Sequence, residues 1–252
     1  MTLQQAHFEY LLRLGDNALI LGQRLGEWCG HGPVLEQDIA VTNIALDLIG
    51  QARSLLEYAG QVEGKSRSED DLAFLRDAWD FRNVLLVEQP NQDWAYTIIR
   101  QFLFDAFHLP LLQQLTTSKD EHLAAIAQKS LKEVTYHLRY SSEWVIRLGD
   151  GTETSHQKMQ TALDDLWAFS GELTTADEVD QLVQAAGIGA NLDAVRRAYT
   201  DKVNAILSEA TLKQPSNPWM QKGGKTGVHT EHLGFILAEM QFMQRAYPGQ
   251  QW

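Results

Sequence analysis

The sequence predicts an all-α protein, and three observations support this fold class. Apolar residues recur every three and four positions along most of the 252 residues, which is the period of an amphipathic helix. Sustained two-residue alternation and Asn-Gly hairpin turns, which signal strands, do not occur in the chain. Gly, Pro and capping residues divide the pattern into segments of helical length.

Two long helices are predicted in the first quarter of the chain. The first covers residues 5–30 and ends at the turn "CGHGP", and Pro33 then fits the start of the second, at 34–60. Both helices should face a common core. The apolar residues of the second are Ile39, Ile44, Leu46, Leu48, Ile49 and Leu55.

A second long pair is predicted at 92–117 and 120–148. Pro110 lies inside the first of these and predicts a kink or a break. Ser118 and Glu121 have the spacing of a capping box before the other. We expect the four long helices to form an antiparallel core.

A helix at 71–88 is expected to cross over between the two pairs, which distinguishes ferritin-like bundles from simple up-and-down ones. Shorter helices follow from about 155 to 246. The predicted architecture is a ferritin-like four-helix bundle with additional C-terminal helices, in one domain over 1–252 with its core at about 5–148.

Composition excludes several classes of partner. The formal charge of −12 repels nucleic acid and anionic membranes. No apolar run approaches the roughly 20 residues that span a bilayer, and the first residues do not resemble a secretory signal. Cys29 is the only cysteine, so no intrachain disulfide can form. We expect a cytoplasmic protein without a nucleophilic catalytic site.

Each long helix carries an acidic residue near its middle, in an apolar context. Counting outward from turns near residues 32 and 118 puts Asp47 level with Asp16 or Asn17, and Glu133 level with Asp105. Di-iron bundles are built from acids in such positions, with a Glu-x-x-His pair on two of the helices.

The di-iron pattern is broken in two places. Gly50 stands three residues after Asp47, and Tyr136 three after Glu133, where His is required. His137 shares the face of Glu133 but is rotated about 100° from the usual ligand position. We interpret these positions as vestigial, without metal and without catalytic residues; a working di-iron centre is the alternative. The vestigial positions are Asp16, Asp47, Asp105, Glu133 and His137. Their expected partners are Arg24, Arg53, Arg139 and Tyr136.

Three further stretches have both a functional and a structural interpretation. "HTEH" at 229–232 looks metal-like but fits a helix start with Thr230 as N-cap. "QKGGKTG" at 221–227 suggests anion binding but lacks the spacing of a phosphate loop, which favours a connector. "RDAWDFRNVLLVEQPN" at 76–91 combines aromatic and Arg residues that suit either an acyl-CoA or nucleotide tail or core packing.

The chain resembles the C subunits of the bacterial ring 1,2-phenylacetyl-CoA epoxidases, which are multicomponent monooxygenases of aerobic phenylacetate breakdown. The stretches that carry the resemblance span the whole chain. They include "LRLGDN" (12–17), "QRLGEWCGHGP" (23–33), "NIALDLIGQAR" (43–53), "LLVEQPN" (85–91), "YHLRYS" (136–141), "GGKTGVHTEHLG" (223–234) and "PGQQW" (248–252).

The resemblance implies a non-catalytic structural subunit in a heterodimer with a homologous A subunit, assembled into a heterotetramer or larger. The A subunit would hold the di-iron centre, and a reductase would supply electrons from NADPH through FAD and an iron–sulfur cluster. This chain would have no cofactor. It would contribute phenylacetyl-CoA contacts, matched here to Asp80, Phe81, Arg82 and Asn83 and to Gln181, Leu182 and Val183.

Two other functions stay open on the sequence alone. One is an independent ferritin-like di-iron protein with its own oxidase or iron-handling activity, suggested by the acids near mid-helix. The other is a helical interaction module that binds no ligand.

Overall fold

The computed structural model describes residues 1–216 and 219–250. Within these ranges the backbone forms ten α-helices and four short 3-10 turns, and no strand occurs. The all-α class is therefore confirmed for the described part of the chain. Asn217 and Pro218 in the Pro-rich link, and the last two letters of "PGQQW", lie outside the described residues.

The chain divides into two compact units, residues 1–88 with 223–252 and residues 89–222. The prediction of one domain over 1–252 stays a prediction. The first unit contains α1 (Leu3–Gly26), α2 (Leu35–Glu63), α3 (Glu69–Phe74), α9 (Glu231–Met240) and α10 (Phe242–Ala246). The second contains α4 (Trp94–Leu115), α5 (Glu121–Gly149), α6 (Glu153–Leu166), α7 (Glu178–Ala185) and α8 (Leu192–Glu209). The 3-10 turns are Ala78–Asp80, Trp167–Phe169, Gly171–Thr174 and Gly224–Thr226.

In the first unit α1 and α2 pack antiparallel, with glycines at their line of contact. A Cβ atom at Gly15 would stand 2.9 Å from Leu56, and one at Gly22 would stand 3.3 Å from the carbonyl of Ala45. The missing side chains let the two backbones approach closely. The inward face of α2 is apolar apart from the buried Gln51. Its apolar residues are Val41, Ile44, Ala45, Leu48, Ala52, Leu55, Leu56 and Ala59.

The apolar residues of α2 do not all face the core, which corrects the sequence prediction. Ile39 and Leu46 lie outside the face that packs on α1 and are exposed, and Ile49 is partly exposed at the edge of that face, where its Cγ1 lies 3.1 Å from the position of a Cβ at Gly22. The helix therefore carries two apolar faces, and α1 covers one of them.

The predicted crossover helix over 71–88 is wrong. The α-helix there ends at Phe74, and the chain is not helical from residue 81 to residue 93. Its backbone N–H groups at Arg82 and Val84 donate instead to the side chains of Asp16 and Asn17 on α1. The segment is also buried on all sides rather than along one stripe, unlike an amphipathic surface helix. The buried apolar residues are Phe81, Val84, Leu85, Leu86 and Val87.

In the second unit α4 and α5 pack against each other, and α6 and α8 pack on this pair. Pro110 lies within α4, which continues past it to Leu115, so the predicted break does not occur. The N-cap of α5 is Asp120, whose side chain accepts from the N–H of Leu123; Ser118 instead donates to the carbonyl of Ile188. No helix in the described ranges is both long and apolar enough to cross a membrane.

Candidate functional site

The carboxylate of Asp16 is the centre of a buried network in the first unit. Arg76 donates to both of its oxygens, at 3.0 Å from Nη1 to Oδ2, and the N–H of Arg82 donates to Oδ2 at 2.8 Å. The Arg76 guanidinium also lies 4.2 Å from the ring centroid of Phe81. Both charges are buried, so each depends on the other for compensation.

A second buried carboxylate, Glu88, joins the C-terminal segment to the segment at 81–88. It accepts from the amide of Asn83, from the backbone N–H and hydroxyl of Thr230, and lies 2.9 Å from Nδ1 of His229. Nε2 of His229 is 3.1 Å from the carbonyl oxygen of Phe81. Each ring nitrogen therefore faces an acceptor.

The glycines of "GGKTG" let this segment lie directly on residues 79–85. A Cβ at Gly224 would stand 2.2 Å from the carbonyl oxygen of Asn83, and one at Gly227 would stand 2.4 Å from that of Trp79. Gly227 also has a φ of +84°, which favours glycine. The stretch is thus a packed connector, and "HTEH" starts α9 with Thr230 at the N-cap, as expected.

The four residues expected to contact a CoA ester at 80–83 differ in accessibility. Asp80 is exposed, and Arg82 is half-buried, donating from Nε to Glu9 at 2.7 Å. Phe81 and Asn83 are fully buried. A ligand can therefore reach the side chains of Asp80 and Arg82 directly, whereas Phe81 and Asn83 position the segment.

The other three expected ligand residues lie on α7 in the second unit. Gln181 is exposed, Leu182 is half-exposed, and Val183 is fully buried. The carbonyl of Val183 accepts the N–H groups of Ile188 and Gly189 and so closes the C-terminal end of α7. Direct contact with a ligand is open to Gln181 and Leu182.

The vestigial positions of the second unit separate into a buried and a partly exposed set. Asp105 is fully buried and accepts from the amide of Gln101 at 2.7 Å and from the hydroxyl of Ser141 at 2.8 Å. His137 is also fully buried, whereas Glu133 is half-exposed.

Burial perturbs two titratable groups between α4 and α5. It raises the pKa of Asp105 to about 7, although the His137 charge and the hydrogen bonds from Ser141 and Gln101 act in the lowering direction. Burial lowers the pKa of His108 to about 3, and the neighbouring charge of His137 lowers it further. Near neutral pH, His108 is therefore neutral and Asp105 is partly protonated.

In the first pair of helices, counting residues outward from the turn gave the wrong depth of Asp16 relative to Asp47. Gly15 lies opposite Leu56, so Asp16 is about two turns of α2 from Asp47. The reason is the loop before α2. Gly32 packs against Asp38, so this loop runs beside α2, which extends past the end of α1. Asp47 itself is half-exposed.

The second pair of helices shows the same displacement. Asp105 contacts Ser141, which lies about two turns beyond Glu133. Gln128 donates to the carbonyl of Thr116, so the end of α4 is level with the second turn of α5. Within either unit, the described residues bring together no group of three or more His, Cys, Asp and Glu side chains that could hold a metal ion.

Two of the predicted partners make ion pairs that the sequence did not predict, Arg24 with Glu27 and Arg53 with Glu69. Tyr136 lies edge-on to the ring of His137, as expected for a partner of that position. The partners that the sequence missed are Arg76 for Asp16, Gln101 and Ser141 for Asp105, and His229 for Glu88. One signal was available: Glu88 follows the apolar run "VLLV", and a charge in such a context requires a partner.

Comparison with known proteins adds two findings. Residues 2–252 match the protein family described as "Phenylacetic acid catabolic protein". The chain is 54% identical over 243 residues to the C subunit of the 1,2-phenylacetyl-CoA epoxidase of Escherichia coli (strain K12), and the match covers 96% of this chain and 98% of that protein. These matches confirm the resemblance and the ferritin-like helical fold class that the sequence predicted.

Proposed function

The chain belongs to the phenylacetic acid catabolic protein family, and on that premise we propose that it is a non-catalytic structural subunit of a phenylacetyl-CoA 1,2-epoxidase. It supports a catalytic A subunit that holds the di-iron centre, while a reductase supplies electrons from NADPH through FAD and an iron–sulfur cluster. The complex acts in the cytoplasm, in aerobic phenylacetate catabolism.

The pairing of Asp16 with Arg76 is the main support for the proposal that this chain is not catalytic. The guanidinium takes both carboxylate oxygens of Asp16 and supplies the positive charge that a metal ion would otherwise provide. A carboxylate held in this way is not available as a bridging or terminal ligand.

The remaining vestigial positions do not fit a di-iron centre either. Asp105 is held by Gln101 and Ser141, and its raised pKa means that it is partly protonated near neutral pH, whereas a ligating carboxylate must be ionised. Asp47 lies about two turns from the depth of Asp16, and Glu133 about two turns from that of Asp105. We therefore derive no oxygen chemistry from this chain.

The proposed contribution to phenylacetyl-CoA binding rests on Asp80 and Arg82 in the first unit and on Gln181 and Leu182 in the second. These four side chains are exposed or half-exposed. Arg82→Ala should weaken binding of phenylacetyl-CoA to the assembled complex several-fold. Arg67→Ala, which removes another half-buried arginine of the first unit that pairs with a glutamate, is the matched control and should bind as the unaltered complex does.

Iron analysis of the purified chain tests the proposal. We expect much less than one iron per chain and no oxidase activity. About two irons per chain together with oxidase activity would overturn the proposal. That result would favour the independent di-iron protein, for which the closeness of buried Asp105 and His137 is the supporting observation.

A further inference from the structure

The outward face of α2 is unusually apolar for a surface helix. Its large side chains are exposed to different degrees, at 71% for Leu35, 51% for Ile39, 61% for Leu46 and 37% for Ile49. The neighbouring face of the same helix is packed on α1, and Ile49 lies at the boundary between the two faces, with its Cγ1 3.1 Å from the position of a Cβ at Gly22. A helix that is apolar on two faces is normally covered on both.

The spacing of these residues identifies the kind of neighbour that fits them. Leu35, Ile39, Thr42, Leu46, Ile49 and Arg53 follow one another at intervals of four, three, four, three and four residues. This is the a/d repeat of a coiled-coil seam, in which each side chain inserts between four residues of a facing helix. We call these six residues the α2 seam. It extends over about 27 Å.

One edge of the α2 seam is open to close approach. A Cβ at Gly50 would meet no atom within 4 Å, and Asn43, one heptad earlier, is exposed. Small and short side chains at these positions leave room for the backbone of a neighbouring helix. Both residues occupy the position that immediately follows d in the repeat, where partner contacts are made in coiled coils.

The charged residues of α2 indicate which kind of protein can dock on the α2 seam. Helix α2 carries the acidic residues Glu36, Asp38, Asp47, Glu57 and Glu63 and the single basic residue Arg53. Arg53 already pairs with Glu69. Glu36 and Glu57 lie along the same margin of the α2 seam as Asn43 and Gly50, and Asp38 lies along the other margin, where it accepts from the N–H of Gly32. The charged residues at the margins are therefore acidic. A second copy of this chain would bring acid against acid, which opposes pairing, whereas basic margins on a different chain complement it.

We propose that the α2 seam is the docking surface for the catalytic subunit of the epoxidase, which presents to it an apolar helix with Lys and Arg margins. The seam is a strip about 27 Å long and one helix wide, smaller than the ~800 Å² per partner of a standard interface. A folded subunit contacts further residues on either side of α2 and so reaches the area of a standard interface, whereas an isolated peptide covers only the seam. This inference rests on the proposed function and adds the surface and its chemistry.

Co-expression of the chain with a tagged catalytic subunit, followed by affinity purification, tests the inference. Leu46→Asp and Ile39→Asp each place a charge in the middle of the α2 seam. Phe235→Asp is the matched control, because Phe235 is an equally exposed apolar residue on α9. All three positions are exposed, so the variants should fold, and thermal unfolding of the purified chains checks this.

We expect both seam variants to lower recovery of the catalytic subunit at least tenfold and the control to keep it. The double variant Glu36→Lys and Glu57→Lys should weaken association several-fold, since it reverses the charge of one margin. Normal association of both seam variants would overturn the surface but leave the proposed function standing. Failure of the unaltered chain to associate at all would instead overturn the proposed function.

Self-association is measured separately by analytical ultracentrifugation of the chain alone. We expect no dimer that depends on the seam. A dimer of the unaltered chain that Leu46→Asp dissociates would show that a second copy occupies the α2 seam, and it would overturn the assignment to the catalytic subunit.

Discussion

Arg76 donates from both terminal nitrogens to the two carboxylate oxygens of Asp16, and both side chains are buried in the first unit. This ion pair joins α1 to the segment that follows α3. The N–H of Arg82 also donates to Asp16, so this carboxylate holds the non-helical segment at 81–88 in place as well.

Removal of one partner of this pair should strongly destabilise the chain. Asp16→Ala leaves the Arg76 charge buried without its carboxylate, which typically costs about 3–5 kcal/mol. Chemical denaturation measures the loss. The double variant Asp16→Ala and Arg76→Ala should lose less than the two single losses added together.

The exposed pair of Arg53 and Glu69 is the control for this measurement. Because Arg53 is largely exposed, Arg53→Ala should change the free energy of unfolding by less than about 1 kcal/mol. Equal losses at Arg53 and at Asp16 would contradict the structural role given to the buried pair.

Gly224 and Gly234 offer a matched pair of glycine substitutions. A Cβ at Gly224 would stand 2.2 Å from a backbone carbonyl, whereas one at Gly234 in α9 would meet nothing within 4 Å. Gly224→Ala should lower the midpoint of thermal unfolding clearly. Gly234→Ala should leave it unchanged or raise it, since alanine stabilises a helix interior by up to about 1 kcal/mol. The opposite order would show that residues 223–227 do not pack as described.

Glu88 should hold the C-terminal segment in place. Glu88→Gln weakens its contact with His229 and disturbs the three donors from Asn83 and Thr230, at a cost of about 1–3 kcal/mol. Amide hydrogen exchange should then accelerate in α9, which begins directly after Thr230. Arg53→Ala, which removes the largely exposed pair with Glu69, is the control and should leave exchange in α9 nearly unchanged. Unchanged exchange after Glu88→Gln would sink this role.

Asp105 should make stability fall as the pH rises from about 4 to about 7. Its pKa is raised from 3.8 to about 7 in the folded chain, so the folded state binds the extra proton in that window. The effect is on the order of 4 kcal/mol at most. Asp105→Asn keeps a side chain of the same size and should remove this fall, as measured by denaturation at several pH values.

His108 should act in the opposite direction over an overlapping window. Its pKa is lowered from 6.5 to about 3, so its contribution is complete above about 6.5 and is lost as the pH falls. The two groups partly cancel in the unaltered chain. In His108→Gln, the free energy of unfolding should therefore decrease more steeply as the pH rises, because only the effect of Asp105 remains. In Asp105→Asn, it should decrease more steeply as the pH falls, because only the effect of His108 remains. Identical pH profiles in all three proteins would contradict the burial of these groups.

The long helices could be predicted because their signals are local: apolar period, caps and helix-ending glycines all lie within the segment itself. The segment at 71–88 could not, because its conformation depends on Asp16 and Asn17, more than sixty residues earlier. Apolar content at 84–87 suggested a helix face, whereas the structure buries this run on all sides.

The candidate site shows a second limit of sequence reasoning. The sequence indicated which acids lie in apolar contexts, and Asp16 and Asp105 are indeed buried. It did not indicate their partners or depth, because those depend on how far each helix extends past its neighbour. An apolar stripe likewise did not reveal that Ile39 and Leu46 face away from α1, or that Ile49 lies at the edge of the contact with α1.

Epoxidase turnover by the assembled complex tests the central claim, that this chain supports the reaction without carrying it out. The complex is reconstituted with the double variant Asp105→Asn and Glu133→Gln, and phenylacetyl-CoA-dependent NADPH oxidation is measured per assembled complex. We predict turnover within about twofold of the unaltered complex, since neither acid holds a reacting atom. Loss of turnover in a complex that still assembles fully would contradict the account.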